Sequence, residues 1–155
     1  MMLSRLGRQN IGRAVAAIVI TAFAVIYHLV APSPTPSAAT ARWASQYEHR
    51  EAKALNGLQS TMTNFNEQTS QAQLLKTCRL GVHDVTMFQS EPLPPNQQLR
   101  TIYAKFLTAN LVFFTECVDG IMKADTNEMN KMVAQSSVVA HLSDQFNSAS
   151  SKLGL

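Results

Sequence analysis

The sequence predicts an all-α protein, in which an N-terminal transmembrane helix is followed by a three-helix up-down-up bundle with a long first helix. Three observations lead to this fold class. One long apolar segment lies near the N-terminus of the 155-residue chain. Two proline-rich segments follow it, and outside them apolar residues recur at the three- and four-residue spacing of amphipathic helices.

The apolar segment covers residues 14–31, AVAAIVITAFAVIYHLVA. A helix of about 18 to 20 apolar residues spans roughly 30 Å of hydrocarbon, the thickness of a bilayer core. Arg5, Arg8 and Arg13 precede the segment, and no acidic residue lies beside them. Because basic residues mark the cytoplasmic flank of a span, residues 1–13 are predicted to form a cytoplasmic tail. The remaining chain is then predicted to lie outside the cytoplasm.

A cleaved signal peptide is the alternative interpretation of the same apolar segment. The best cleavage site is Ala39-Thr40-Ala41, before Arg42, but it lies ten residues beyond Ala31 and across a proline-rich stretch. Signal peptidase normally cleaves closer to the apolar segment. An uncleaved anchor in the cell membrane is therefore favoured, and secretion after cleavage near Ala41 is the alternative.

Residues 32–41, PSPTPSAATA, are predicted to form a linker, since proline among small polar residues favours an extended chain. The remaining residues, 42–155, have the length of one domain. Three of the 13 basic residues precede the apolar segment and all 10 acidic residues follow it, so this domain has no net charge. A neutral domain lacks the electrostatic footprint of a nucleic-acid binder, and nucleic acid is not a predicted partner.

The first bundle helix is predicted from Trp43 to about Phe88, where no proline interrupts the apolar pattern. The polar residues 61–73 are weak helix formers, so a break near residues 61–66 that folds the chain back as a fourth, short helix is the alternative. Three prolines then place a loop at residues 89–96.

The most apolar helix of the exported part is predicted to follow this loop, from about Leu99 to Met122. Asp125, followed three residues later by Glu128, is a capping-box signature that predicts the start of a third helix. Gly154 is predicted to end that helix.

The two cysteines, Cys78 and Cys117, lie on the apolar stripes of the first and second predicted bundle helices. Outside the cytoplasm such a pair is usually oxidised, so a disulfide is favoured over two separate buried thiols. A redox-active pair is disfavoured, because catalytic dithiols typically lie close together as CxxC.

The order of these features resembles that of small membrane-anchored or secreted helical proteins of unknown function from actinobacteria. The features are Trp43, a long helix to Cys78, the proline loop PLPP at residues 92–95, Cys117 late in a second helix, and a third helix to Leu153. The resemblance covers residues 43–153. It implies a disulfide-tied bundle and supplies no activity.

Few polar side chains are spaced as a catalytic or metal site requires. His141 and Asp144 form the best-spaced pair, but no second histidine or cysteine stands at ligand spacing, so surface ion pairing is favoured. His49, Glu48 and Glu51 are predicted to share a solvated face. We therefore predict no catalytic residue, no metal ligand and no cofactor.

The predicted function is that of a non-enzymatic, membrane-anchored cell-envelope protein whose exported bundle binds or positions an envelope protein partner. The upper half of the first helix is the predicted interaction surface, with Trp43, Tyr47 and Leu55 as its residues. The alternative is a secreted bundle that holds an apolar small molecule or haem between the second and third helices, with His141 and methionines as contacts.

Overall fold

The computed structural model describes residues 35–63 and 70–155, and the regular secondary structure in these ranges is entirely helical. The predicted all-α class is confirmed for this part of the chain. The tail 1–13, with Arg5, Arg8 and Arg13, lies outside the described residues, as do the apolar segment 14–31 and residues 32–34 of the predicted linker. Among the described helices, none combines the length and apolarity that a membrane span requires.

Five α-helices and one π-helical turn make up the described chain. The first helix begins at Ala38, inside the predicted linker, where the Ser37 hydroxyl accepts a hydrogen bond from the Thr40 N–H at 3.2 Å. The elements are α1 (Ala38–Trp43), the π turn (Ala44–Glu48), α2 (His49–Thr63), α3 (Gln71–Gln89), α4 (Gln97–Lys123) and α5 (Thr126–Lys152). We call α1, the π turn and α2 together the strap.

The long first bundle helix of the prediction is replaced by two helical stretches. α2 ends at Thr63, and α3 begins with a capping box of its own. The Ser70 hydroxyl accepts from the Gln73 N–H at 3.2 Å, while the Gln73 side-chain carbonyl accepts from the Ser70 N–H at 3.2 Å. These reciprocal bonds satisfy backbone donors that a continuous helix would have paired internally, so they define a helix start. The intervening residues 64–69 lie outside the described part.

The predicted ends of the last helix are confirmed. Asp125 is the N-cap of α5, and its carboxylate accepts from the Asn127 N–H at 2.8 Å. Gly154 follows the helix with a φ of 76°, a left-handed conformation that glycine adopts without steric cost.

Helix α4 lies at the centre of the bundle and packs closely against both α3 and α5. Its end lies beside the start of α3, because the Gln71 amide donates to the Ile121 carbonyl at 3.1 Å. Only two residues connect it to α5, and the first of them, Ala124, has a φ of 50°. The chain therefore reverses direction between neighbouring helices.

The backbone of the strap lies farther from α4 and α5 than these two helices lie from each other. Within the described residues, no Cα atom of the strap comes within 8 Å of a Cα atom of α4 or α5. Large side chains fill the space between the backbones. The Trp43 ring lies edge-on to Tyr103 of α4 and to Phe146 of α5, with centroids 5.2 and 6.4 Å apart. The start of the strap therefore joins the core through an aromatic cluster.

Gly81 marks the closest approach of α3 to α4, and we expect its substitution to be costly. A Cβ atom at this position would lie 2.3 Å from the buried Phe114 ring, so Gly81→Ala should lower the unfolding free energy by about 1 to 3 kcal/mol. This loss is expected even though alanine is the better helix former by about 1 kcal/mol. Urea denaturation measures the change.

Gly57 in the strap is the matched control, since a Cβ there meets nothing within 4 Å. Gly57→Ala should raise the unfolding free energy by about 0.5 to 1 kcal/mol through helix propensity alone. Equal stability of the two variants would contradict the close approach at Gly81.

Candidate functional site

The strap meets the loop between α3 and α4 at one end of the bundle. There the Trp43 indole N–H donates to the Pro92 carbonyl at 2.7 Å. One residue earlier in the loop, the Glu91 carboxylate accepts a charge-assisted hydrogen bond from the Arg50 guanidinium. These two contacts, which we call the strap–loop junction, connect segments that are distant in sequence.

The π turn lies between the two strap residues that make these contacts. A π turn adds a residue to the helical repeat and so rotates the side chains that follow it, and such turns are frequent at functional sites. Here Trp43 and Ala44 are buried before and at the turn, and Glu51 is buried after it. Arg50 lies over the Tyr47 ring, with its guanidinium carbon 5.8 Å from the ring centroid. The Trp43 ring, before the turn, and the Glu51 carboxyl group, after it, therefore both lie in the interior.

Glu51 is the most unusual side chain of the site, because it is a carboxyl group that is only 2% exposed. The prediction of a solvated face is wrong for this residue. Its Oε1 atom lies 3.9 Å from the nearest Arg50 nitrogen, beyond hydrogen-bond distance. Its Oε2 atom has no hydrogen-bond partner among the described residues.

Burial raises the pKa of Glu51 to about 8, and a hydrogen bond to Glu91 and the charge of that carboxylate act in the same direction. Arg50 opposes the shift, and Glu48 adds to it. Burial also raises the pKa of the Glu48 carboxyl, which the neighbouring His49 partly offsets. At neutral pH Glu51 is therefore mainly protonated, whereas an exposed glutamate is ionised.

The arrangement holds one proton between two carboxyl groups. The hydrogen bond with Glu91 that raises the pKa of Glu51 requires a proton on one of the two carboxyl groups, and the raised pKa assigns that proton to Glu51. The Arg50 guanidinium balances the charge of Glu91. This trio has no net charge, and only Glu51 among its members is fully buried, since the side chains of Arg50 and Glu91 are 55% and 21% exposed. Among residues 35–63 and 70–155, no group of three or more acidic, histidine or cysteine side chains is arranged to hold a metal ion.

The predicted interaction residues have mixed positions. Trp43 is 4% exposed and Leu55 is 7% exposed, so both lie in the core instead of on an outer surface. Tyr47 is half-buried beneath Arg50. In this closed arrangement the three residues do not form a common exposed patch, because burial against α4 and α5 competes with presentation to a partner.

The predicted disulfide between Cys78 and Cys117 is present. It joins α3 to α4 with a Cα–Cα distance of 6.0 Å. Both cysteines are 0% exposed and belong to the hydrophobic core. The bond therefore fixes the helix pair on which the strap lies.

No family model, curated protein or solved structure matches this chain. The similarity to actinobacterial helical proteins accordingly stays a prediction. Conclusions about function must come from the residues themselves.

A cavity of about 50 Å³ lies between α2, α4 and α5. Its lining is largely apolar, but five polar side chains also face it: Asn56, Gln59, Asn110, Ser136 and Ser143. The Asn110 amide donates to the Phe106 carbonyl of its own helix at 2.9 Å, and the buried Ser143 hydroxyl has no partner among the described residues. Cavities that bind drug-sized ligands are roughly 300 to 1,000 Å³, so a haem would require these helices to separate.

His141, the predicted contact of the alternative function, does not line this cavity. It is exposed on α5, where its ring pairs with the Gln145 amide at 2.9 Å. Met62 is the methionine that reaches the cavity wall, and Met132 is buried elsewhere in the core. The structure therefore does not bring His141 and the methionines together.

Three residues of the strap–loop junction, Arg50, Glu91 and Pro92, were not predicted as a site from sequence. The neighbouring Glu51 was not predicted as a site either. A signal for Glu51 exists in the helical spacing. It lies four residues after Tyr47 and four before Leu55, so it occupies the apolar stripe. The pairing with Glu91 depends on how the chain folds back and has no local signal.

The Trp43 hydrogen bond gives a prediction at the junction. Trp43→Phe keeps an aromatic ring but removes the donor to the Pro92 carbonyl, so we expect a loss of about 1 kcal/mol in unfolding free energy. Ser45→Ala is the control, because its exposed hydroxyl donates only to the Arg42 carbonyl of the same helical stretch. Thermal unfolding of both variants tests this, and an equal effect would contradict a specific role of the indole.

Proposed function

We propose that this chain is a non-enzymatic, membrane-anchored protein of the cell envelope. Residues 14–31 are its anchor, and the exported helical bundle binds or positions an envelope protein partner. The buried Cys78–Cys117 disulfide is the observation that supports this proposal most. Disulfides persist outside the reducing cytoplasm, which is the side on which the basic flank predicts the bundle to lie.

In this proposal the exported part is an up-down-up unit of α3, α4 and α5, covered by the strap. The disulfide and the close contact at Gly81 make this unit the rigid part. The strap is the element connected to the anchor. A force or a partner acting at the membrane would therefore reach the strap first.

The start of α1 supports an uncleaved anchor. Ser37 caps the helix, and Thr40 is buried within it. Cleavage after Ala41 would remove both residues and leave the strap without its first turn. A chain that retains the segment before Ala41 keeps the helix cap that the fold uses.

The length of the linker sets the orientation of the bundle. Only residues 32–37 separate the predicted span from Ala38, and an extended chain covers at most about 3.6 Å per residue. The strap–loop junction is thereby held close to the outer surface of the membrane. The connection between α4 and α5, at Ala124, lies at the opposite end of the bundle.

The test is to express the full-length chain with a C-terminal tag in a bacterial host and to separate membranes from medium. We expect the tag in the membrane fraction and accessible to protease from outside. An intact mass should include residues 1–41, and in denaturant both cysteines should react with maleimide only after reduction. A variant with Arg5, Arg8 and Arg13 changed to glutamate is the control, since it should lose this orientation.

Two results would overturn the proposal. Protein recovered from the medium that begins near Arg42 would favour the secreted alternative. Cysteines that react without reduction, together with a tag protected inside the cell, would exclude export.

A further inference from the structure

The strap is held at its N-terminal end mainly by the strap–loop junction and the aromatic cluster. Its backbone stays more than 8 Å from α4 and α5, measured between Cα atoms, within the described residues. The junction adds the Trp43 bond to Pro92 and the Arg50 pair with Glu91. The N-terminal end of the strap is therefore the part with the least support from close helix packing. Weakening the junction should affect this end first.

Glu51 lies inside this junction, and its buried Oε2 atom lacks a partner among the described residues. The charged groups that act on it are Glu48 and Arg50 of the strap and Glu91 of the loop. When Glu51 is ionised, the carboxylates of Glu51 and Glu91 share the single guanidinium of Arg50. Glu48 is half-buried at the edge of the site.

Among the described residues, Arg50 is the positive charge that acts on Glu51, and the other elements around the junction add none. Arg100 of α4 directs its guanidinium to the carbonyls of Pro94 and Pro95, at 3.0 and 3.2 Å. Tyr103, also on α4, contributes a buried hydroxyl that has no hydrogen-bond partner among the described residues. Helix α5 contributes Phe146, which carries no charge.

We propose that the Glu51 and Glu91 carboxyl groups are a proton-operated latch for the strap. While the pair holds one proton, the strap is closed on the loop. When Glu51 releases that proton to solvent, its buried carboxylate faces the partly exposed carboxylate of Glu91, and the N-terminal end of the strap separates from the loop. Water then reaches both carboxylates, which relieves the repulsion and the cost of burial.

The latch opens as the pH rises and closes as the pH falls. Burial and the Glu91 carboxylate raise the pKa of Glu51 to about 8, so the closed form prevails below this value and opening occurs as the pH rises through it. Opening uncovers Trp43, which is one of the predicted interaction residues. This mechanism requires only the described helices and does not depend on the proposed membrane anchor.

Trp43 is the only tryptophan of the chain, so its fluorescence reports directly on the strap. The experiment measures the emission maximum and acrylamide quenching of the full-length protein from about pH 6 to about pH 9.5, below the titration of ordinary tyrosines. We expect a shift to longer wavelength and stronger quenching, with a midpoint near pH 8. Helix content, followed by circular dichroism, should change little over the same range.

Three variants make the test specific. Glu51→Gln keeps the size of the side chain and its hydrogen bond to Glu91 but cannot ionise, so the transition should be lost. Glu91→Gln should move the midpoint to lower pH, because an ionised Glu51 then faces Arg50 without a competing carboxylate, while burial still raises the pKa of Glu51. Glu48→Gln is the matched control and should keep the transition.

The proposal is overturned if the emission of the wild-type protein stays constant across this pH range. It is also overturned if Glu51→Gln, with unchanged helix content, shows the wild-type transition. Should Glu51→Gln fail to fold, the Glu91→Gln variant decides, and an unchanged transition in that variant overturns the latch.

Discussion

Reduction of the Cys78–Cys117 disulfide is expected to lower the unfolding free energy by about 4 kcal/mol, which is a large part of the stability of a small domain. The bond closes a loop between residues that are 39 positions apart. In the chain-entropy model, a loop of this length restricts the unfolded chain enough to account for the expected loss. Urea denaturation of the oxidised and reduced wild-type protein measures it, because both forms keep the two buried sulfur atoms.

The variant Cys78→Ala/Cys117→Ala is the companion to this measurement. It removes the cross-link and also truncates two side chains that are 0% exposed, so it should be at least as unstable as the reduced protein. Equal unfolding free energies for the oxidised and reduced wild type would contradict a stabilising disulfide.

The second large effect concerns pH. The ordinary pKa of Glu51 is 4.5, and in the folded protein burial raises it to about 8. Between these values the folded protein retains a proton that the unfolded chain has released. Its unfolding free energy should therefore fall as the pH rises from about 4.5 to about 8 and level off above that. The full shift corresponds to at most about 5 kcal/mol, and less where opening of the strap admits water.

Denaturation of the wild type and of Glu51→Gln at about pH 5, 7 and 9 tests this expectation. The variant should lose less stability across the range and should be the more stable protein at alkaline pH. A small slope should remain in it, because burial also raises the pKa of Glu48. Wild-type stability that increases with pH over this interval would refute the assignment.

Local patterns predicted the start and the end of α5. The side-chain acceptor of Asp125 starts α5, and Gly154, in a left-handed conformation, follows its end, as the sequence indicates. Ser70, followed by Gln73, carries the same type of signal for α3. The apolar stripe that continues from α2 into α3 predicts a single long helix instead.

The junction could be predicted only in part. The stripe position of Glu51 indicates burial, but its charged neighbours, Glu48, His49 and Arg50, favour a solvated face when read locally. The contact of Arg50 with Glu91 is made between residues 41 positions apart in sequence. Such a pairing depends on how the strap folds back onto the loop and on the π turn, which rotates the residues that follow it. Neither feature can be predicted from a short stretch of sequence.

The connection between α4 and α5 also bears on how the chain folds. With only Ala124 and Asp125 between them, these helices make contacts that are local in sequence and close quickly. The strap instead relies on partners as distant as Phe146. Pulsed hydrogen exchange during refolding should thus protect α4 and α5 before the strap. The strap, although synthesised before α3, α4 and α5, is expected to dock last, and an exported chain would complete its fold only after nearly all of it has crossed the membrane.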